Sequence, residues 1–138
     1  MRNIIFRGKT IDKGEWKYGW YVNKAKSKHQ IVTRDYLFPF TVIPETIGEC
    51  TGIYDKNGKE IYEGDIVSYW NGSLSEDENG DTEYNGIKYS KAKNKTSLVV
   101  FLNGRFKLED NNALNCFKGE MALEVIGNIH DNKDLLTK

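Results

Sequence analysis

The sequence predicts a mainly β protein: a small SH3-like or similar β-barrel with an N-terminal β region and a short C-terminal helical turn. Alternation with a period of two residues recurs along the chain, whereas helical periodicity is hard to find. Asn is followed by Gly at positions 57–58 and 103–104, a pair that favours tight hairpin turns. Short strands separated by turn residues favour a closed or partly closed barrel over a sandwich, which would need longer strands.

The N-terminal region, residues 1–50, is predicted to contain several β segments. We expect them over Asn3–Phe6, 15–22, Gln30–Arg34 and Tyr36–Ile43, the last confined to a sheet edge or a bulge by Pro39. In the second segment Trp16, Tyr18 and Trp20 share one face. Burial of this aromatic stripe in the core is the preferred interpretation, because large aromatic side chains on one strand face are usually buried. A binding surface is the alternative.

Residues 51–130 are predicted to form the barrel core, with residues 131–138 as a tail. The expected strands cover Glu60–Tyr62, Asp65–Trp70, Thr96–Leu102, Arg105–Leu108 and Leu123–Ile129. Gly64, which precedes an Asp, indicates a bulge or a sharp bend. The polar, acidic segment Asn71–Gly86 is expected to be an exposed loop. Asp131–Leu136 is expected to make one helical turn, capped by Asp131 or Asn132.

The composition describes one globular domain over residues 1–138. Of the 138 residues, 38% are hydrophobic and 12% aromatic, which is enough to fill a single core. No apolar run approaches the roughly 20 residues that cross a bilayer, and the N-terminus has no apolar segment of signal-peptide length. We therefore expect a cytoplasmic protein without a membrane partner.

Neither a metal site nor a cofactor site is predicted. Cys50 and Cys116 are far apart without a C-x-x-C pattern, and neither His29 nor His130 has a third ligand nearby in the sequence. Both cysteines are expected to be buried, reduced thiols, with one disulfide as the alternative. Because no nucleophile lies in a recognisable catalytic motif, the sequence predicts a protein that is not an enzyme.

The charges balance overall but are distributed in blocks. The chain has 20 basic and 20 acidic residues, yet residues 1–34 carry a net charge of +7, residues 35–65 and 66–87 each carry −5, and residues 88–107 carry +6. Such blocks can pair within the fold or between copies of the chain.

The basic N-terminal block suggests a nucleic-acid-binding face, because basic side chains alternate there with aromatic ones. The candidate residues for phosphate contacts are Arg7, Lys9, Lys13, Lys17 and Lys24. A sequence pI of about 6.7 and a net charge of zero weigh against this function.

Three segments resemble the YopX-like proteins encoded by bacteriophages and prophages. They are residues 5–9 with Trp16 and Tyr18-Gly19 close behind, residues 44–48 continuing through 51–67, and residues 124–132. The resemblance spans nearly the whole chain, and it implies a phage or prophage origin, the cytoplasm of a bacterial host and assembly into homo-oligomers. It implies no catalytic residue, because no biochemical activity is established for the family as a whole.

The leading functional prediction is a phage- or prophage-encoded accessory protein without catalytic activity, an oligomeric module that binds an unknown phage or host protein. The nucleic-acid-binding module is the alternative. For the residues shared with the family we expect structural roles. Asn57-Gly58 and Gly64-Asp65 are expected in turns, and the core is expected to include Ile61, Ile66, Val67, Val125 and Ile126.

Overall fold

A computed structural model of the protein describes residues 4–24, 28–70, 74–109 and 123–136. Within these ranges the chain is mainly β, as predicted, with antiparallel strands. The strands are β1 (Phe6–Lys9), β2 (Trp16–Lys24), β3 (Lys28–Val32), β4 (Phe40–Thr41), β5 (Gly48–Tyr54), β6 (Glu60–Tyr62), β7 (Asp65–Tyr69), β8 (Leu74–Glu76), β9 (Thr82–Tyr84), β10 (Ile87–Lys91), β11 (Lys95–Leu102), β12 (Arg105–Leu108) and β13 (Glu124–Asn128). Two short 3-10 helices cover Pro44–Thr46 and Lys133–Leu136.

The first six strands form one sheet in the order β4-β3-β2-β1-β5-β6. The sheet curls strongly, so that a single bridge joins Thr10, at the end of β1, to Val42, at the end of β4. Glycine permits the close backbone approach inside this curl: a β-carbon on Gly19 would lie 2.0 Å from the carbonyl oxygen of Val32. The predicted boundary at residue 50 falls inside β5, which pairs with β1 on one side and β6 on the other.

A second sheet, in the order β12-β11-β7-β13, carries the main core. Its buried apolar cluster joins β6, β7, β11 and β12 to the residue before β13, and it consists of Ile61, Val67, Tyr69, Val99, Leu108 and Leu123. Burial of Ile61, Ile66 and Val67 is confirmed. Val125 is only partly buried, and the core assignment of Ile126 is wrong, because that side chain is 38% exposed.

No closed barrel is found among the described residues, where the strands form open sheets of six, four and three strands. The SH3-like closure therefore remains unconfirmed. The expected strand over Tyr36–Ile43 shrinks to β4, two residues at the edge position that Pro39 predicts. The first strand begins at Phe6, later than expected, and Asn3 lies outside the described residues.

The third sheet, in the order β8-β10-β9, corrects the expectation of a loop over Asn71–Gly86. Residues 74–76 and 82–84 are strands, and both pair with β10. The described part of the segment is largely exposed, as predicted, but it contains two short strands. Residues 71–73 lie outside the described ranges.

The predicted turns are confirmed. The hairpin between β5 and β6 turns at Asn57-Gly58, where Gly58 has φ = 81°. The hairpin between β11 and β12 turns at Asn103 and Gly104, with φ angles of 55° and 80°. Gly64 makes the sharp bend between β6 and β7 with φ = 94°. The C-terminal helical turn forms over Lys133–Leu136, and the side chain of Asn132 accepts a hydrogen bond from the backbone N–H of Asn128 at 3.2 Å.

Candidate functional site

The candidate basic residues of the N-terminus do not share one surface. Arg7 is 5% exposed, and its Nη1 lies 2.8 Å from Oδ1 of Asp65. Lys9 lies on the same strand face, and its Nζ is 2.5 Å from Oδ1 of Asp131. Both cations are therefore neutralised within the fold.

The other three candidate residues lie elsewhere. Lys17 is on the opposite face of the β1–β2 hairpin, where its Nζ lies 3.4 Å from Oε2 of Glu15 and 4.5 Å from the centre of the Phe40 ring. Lys13 is exposed in the turn between the two strands. Lys24 ends β2, and its side chain lies outside what the structure describes.

Arg7 occupies a buried aromatic environment between the two larger sheets. Its guanidinium carbon lies 4.7 Å from the centre of the Trp16 ring and 5.0 Å from that of Tyr62. Its Nη2 donates to the backbone carbonyl of Glu63 at 3.4 Å. Among the described residues, Nε of Arg7 is the one buried side-chain polar atom without a hydrogen-bond partner.

Asp65, the partner of Arg7, starts β7 directly after the bend at Gly64. Its Oδ2 accepts a hydrogen bond from the backbone N–H of Tyr62 at 2.7 Å. The same carboxylate therefore stabilises the bend and pairs with the buried guanidinium of Arg7. Burial raises the pKa of Asp65, while the charge of Arg7 acts in the opposite direction.

Asp131 fastens the C-terminal turn to the first hairpin. It accepts hydrogen bonds from Lys9, from Nε1 of Trp16 at 2.8 Å and from Nδ2 of Asn128 at 3.2 Å. The bond from Lys9, followed by that from Trp16, lowers the pKa of Asp131 to about 2. The Trp16 ring also contacts the ring of His130, with 5.9 Å between centroids.

A cavity of about 600 Å³ is lined by both Arg7 and Asp131, and we call it the Arg7 cavity. Its walls combine aromatic and aliphatic side chains with charged ones. They include Arg7, Tyr18, Tyr62, Lys59, Glu60 and Ile126. Ile126 reaches this position because the register of β13 against β7 shifts between Val125 and Gly127.

The ionisable groups around the cavity do not form an activated nucleophile. The thiol of Cys50 donates to Oε2 of Glu60 at 3.0 Å, and burial, followed by this bond, raises its pKa to about 11. Burial also raises the pKa of Tyr62, so both groups stay protonated at neutral pH. Cys50 is a buried free thiol, as predicted, whereas Cys116 lies outside the described residues.

The preferred interpretation of the aromatic stripe is wrong for two of its three residues. Tyr18 and Trp20 are 49% and 48% exposed, while Trp16 is partly buried against Arg7, His130 and Asp131. The turn after β13, with His130 and Asp131, covers this face of the sheet at Trp16, whereas the next two rings lie at the surface.

A second candidate surface is the three-stranded sheet of β8, β9 and β10, which we call the arm. Side chains that lie directly opposite in an antiparallel ladder share a face. Tyr84 pairs with Ile87, and Leu74 pairs with Lys91, so one face of the arm carries the apolar side chains Leu74, Tyr84, Ile87 and Tyr89. The opposite face carries Ser75, Glu83, Lys88 and Ser90.

The apolar face of the arm is exposed. Tyr84 is 70% exposed, Leu74 46% and Ile87 41%. The sequence contained a signal for the arm, because Asn85-Gly86 is the same turn pair that predicted the β11–β12 hairpin; their φ angles are 52° and 79°.

No group of three or more His, Cys, Asp and Glu side chains that could hold a metal ion occurs in the part of the chain that the structure describes. In the same residues, no helix has the length and apolar character needed to cross a membrane.

Comparison with known proteins gives one family. Neither the search of curated proteins nor the search of solved structures found a match. The family model described as YopX protein matches residues 5–137 and thus takes in β1 to β13, the Arg7 cavity and the arm. Because this match covers nearly the whole chain, the protein belongs to the YopX family.

Proposed function

We propose that this YopX family member is a phage- or prophage-encoded accessory protein that acts in the cytoplasm of a bacterial host as a non-catalytic, self-associating protein-binding module. The exposed apolar face of the arm is the observation that carries the proposal. Tyr84, Ile87 and Leu74 gather there on one side of a sheet, whereas the other side is polar.

The physical argument begins with the stability of a small sheet. Three short strands are stable in water when one apolar face is buried. The apolar face of the arm is largely exposed within a single chain, so association with another protein surface would bury it. Each 100 Å² of apolar surface removed from water contributes about 2.5 kcal/mol before the costs of association.

A second copy of the same chain is the occupant that we favour. The apolar face also carries Glu76 and Lys91. Because these two side chains have opposite charges, a twofold contact that sets Lys91 of one copy against Glu76 of the other would pair them while the apolar side chains meet. The apolar face of the arm is therefore complementary in charge to the same face of a second copy.

The test compares two double variants that differ only in the face they alter. Tyr84→Thr with Ile87→Thr changes a directly paired position on the apolar face, and Glu83→Thr with Lys88→Thr changes the neighbouring pair on the polar face. Thr suits strands, so both variants keep the β propensity of the arm. Sedimentation equilibrium over a concentration series should show that the first variant is monomeric and that the second associates like the unaltered protein.

Two results would count against self-association through the arm. One is an unaltered protein that stays monomeric throughout the series. The other is equal weakening by both double variants, which would attribute association to the fold of the arm in general rather than to its apolar face.

Binding of nucleic acid is the second candidate function, and the exposed rings of Tyr18 and Trp20 on one strand face are the observation that favours it. It has less support because Arg7 and Lys9, the basic residues on that face, already pair with Asp65 and Asp131. Lys13→Glu with Lys17→Glu should leave retention on single-stranded DNA unchanged. If the unaltered protein is retained on single-stranded DNA in a steeply salt-dependent manner and the double variant is not, the result would favour this second function instead.

A further inference from the structure

We infer that the Arg7 cavity binds a small, neutral, planar heterocycle in which a carbonyl oxygen stands next to a ring N–H, the chemistry of an oxo-substituted nucleobase or its nucleoside. This site is separate from the arm and is independent of the self-association proposed above. Three features of the cavity support it: its walls, its balance of charge and its hydrogen-bonding groups.

The walls suit a flat ring. A volume of about 600 Å³ falls in the usual range of small-molecule sites, which is roughly 300–1,000 Å³. Tyr18 stands edge-on to Tyr62, with 5.5 Å between the ring centroids, and about half of its surface is exposed. The exposed aliphatic side chain of Ile126 also lines the cavity. An aromatic ring and an aliphatic side chain together can hold a planar guest by stacking and dispersion.

The charges favour a neutral guest. Of the charged side chains that line the cavity, Arg7 pairs with Asp65, and Asp131 pairs with Lys9 just outside it. The remaining two, Lys59 and Glu60, have opposite signs and are both exposed at the rim. A phosphate or an ammonium group would find no net opposite charge here.

The hydrogen-bonding groups at the rim match adjacent acceptor and donor groups on a ring. Lys59 supplies N–H donors, which suit a carbonyl oxygen, and Glu60 supplies carboxylate acceptors, which suit a ring N–H. The thiol of Cys50 donates to Oε2 of Glu60, and we assign the ring N–H to Oε1.

Arg7 adds a donor from the interior. Its side chain lines the cavity and is more than nine-tenths buried, yet its Nε–H has no partner among the described residues. A buried donor without a partner is unfavourable, which favours a guest that brings an acceptor. Since Nε is shielded from the solvent, this bond requires a side-chain adjustment of the kind that commonly accompanies binding.

The test uses nucleosides that differ in one functional group. Inosine and uridine carry an oxo group next to a ring N–H, whereas adenosine and cytidine carry an amino group next to an unprotonated ring nitrogen. Titrations monitored by ¹H–¹⁵N NMR, with the indole N–H of Trp16 as a reporter, should show saturable binding of inosine and uridine. We expect each to bind at least about tenfold more tightly than its amino counterpart, because each mismatch leaves a polar group unpaired.

Two matched variants locate the site. Tyr18→Ala should weaken inosine binding about tenfold or more, which is the usual effect of removing a stacking ring. Trp20→Ala removes an equally exposed ring from the same strand face, outside the cavity lining, and should leave binding unchanged. The arm variant Tyr84→Thr with Ile87→Thr should bind inosine normally, which keeps failure of this inference distinct from failure of the proposed self-association.

Three outcomes would overturn the inference. The first is no saturable binding of any nucleoside. The second is an affinity for adenosine or for glucose that equals the affinity for inosine, which would indicate a cavity without the proposed donor and acceptor pattern. The third is an equal loss with Trp20→Ala, which would place the contact on the open sheet face rather than in the cavity.

Discussion

Arg7 and Asp65 show how single residues join parts of the chain that are distant in sequence. Arg7 reaches across from β1 to the start of β7, between the rings of Trp16 and Tyr62. Both side chains of the pair are almost fully buried. A buried charge is tolerated when its partner is in place and becomes costly when the partner is removed.

Asp65→Ala should therefore destabilise the protein strongly. The change leaves the Arg7 charge buried without its carboxylate and also removes the acceptor for the N–H of Tyr62. We expect a loss of about 3–5 kcal/mol in the free energy of unfolding, measured by urea denaturation. Arg7→Met with Asp65→Leu should recover a large part of this loss. A single variant that loses less than about 1 kcal/mol would show that the buried pair does not hold the sheets together.

Asp55 acts similarly at the edge of the second sheet. Its Oδ1 accepts the backbone N–H groups of Asn57 and Lys59 in the β5–β6 turn, and its Oδ2 accepts that of Val125 in β13 at 3.0 Å. Burial by itself would raise the pKa of Asp55, but the three N–H groups outweigh it and hold the pKa below its usual value. The carboxylate thus links the β5–β6 turn to β13, the edge strand of the second sheet.

The stability that Asp55 contributes should depend on pH. Because its pKa is lower in the folded than in the unfolded chain, the contribution is complete above the ordinary carboxyl pKa and is lost as the pH falls through the lowered value. Asp55→Asn should lower the free energy of unfolding by about 1–3 kcal/mol at pH 7. Urea denaturation at several pH values should show the difference shrinking below about pH 4. A difference that is constant with pH would contradict the role of the ionised carboxylate.

At the scale of the elements, turn chemistry was the most informative part of the sequence. Asn103-Gly104 predicted its hairpin because both residues adopt positive φ readily. Asn85-Gly86 is the same signal, but the acidic composition around it indicates a solvated loop instead. The sequence does not indicate β5 for a different reason: the strand begins at Gly48 and contains Gly52, and its pairing is irregular.

The packing between elements could not be predicted from the pattern along one strand. Alternation correctly placed Trp16, Tyr18 and Trp20 on one face, but which part of that face is covered depends on the turn after β13, more than 100 residues later. The exposed rings of Tyr18 and Trp20 and the Arg7 cavity both depend on this contact between parts of the chain that are distant in sequence. The sequence predicted short β segments near the candidate site residues, but neither the pairing of these strands into a hairpin nor the neutralisation of Arg7 by Asp65 and of Lys9 by Asp131.

The curl of the first sheet gives a prediction for two glycines of one hairpin. Gly19→Ala would bring a β-carbon to 2.0 Å from a backbone oxygen of β3, whereas Gly8→Ala would bring one to 3.0 Å from the Val42 side chain. Side chains adjust more easily than paired backbone. We expect Gly19→Ala to cost about 3 kcal/mol or more and Gly8→Ala to cost less, as measured by thermal unfolding. The reverse order would contradict the close approach of β2 and β3.

At the scale of the whole molecule, the blocks of charge pair across the fold. The basic N-terminal block meets the acidic residues of later segments in Arg7–Asp65 and Lys9–Asp131. A net charge of zero is thus accompanied by internal pairing at the seam between the two larger sheets. Asp131, near the C-terminus, ties the end of the chain to its first hairpin.

This tie should break only in strong acid. The pKa of Asp131 is lowered to about 2 by its bonds from Lys9 and Trp16, so the link is present above the ordinary value of 3.8 and is lost as the pH falls through about 2. The indole N–H resonance of Trp16 should titrate with this midpoint in ¹H–¹⁵N NMR. A midpoint at or above 3.8 would show that the two chain ends are not joined through this carboxylate.

The proposed self-association would bury the apolar face of the arm between copies of the chain. Hydrogen–deuterium exchange of the backbone amides, measured over a range of protein concentrations, reports on this burial. We expect exchange in Leu74–Glu76, Thr82–Tyr84 and Ile87–Lys91 to slow as the concentration rises, while exchange in β1 and β2 stays constant. Exchange in the arm that is fast and independent of concentration would contradict self-association through this surface.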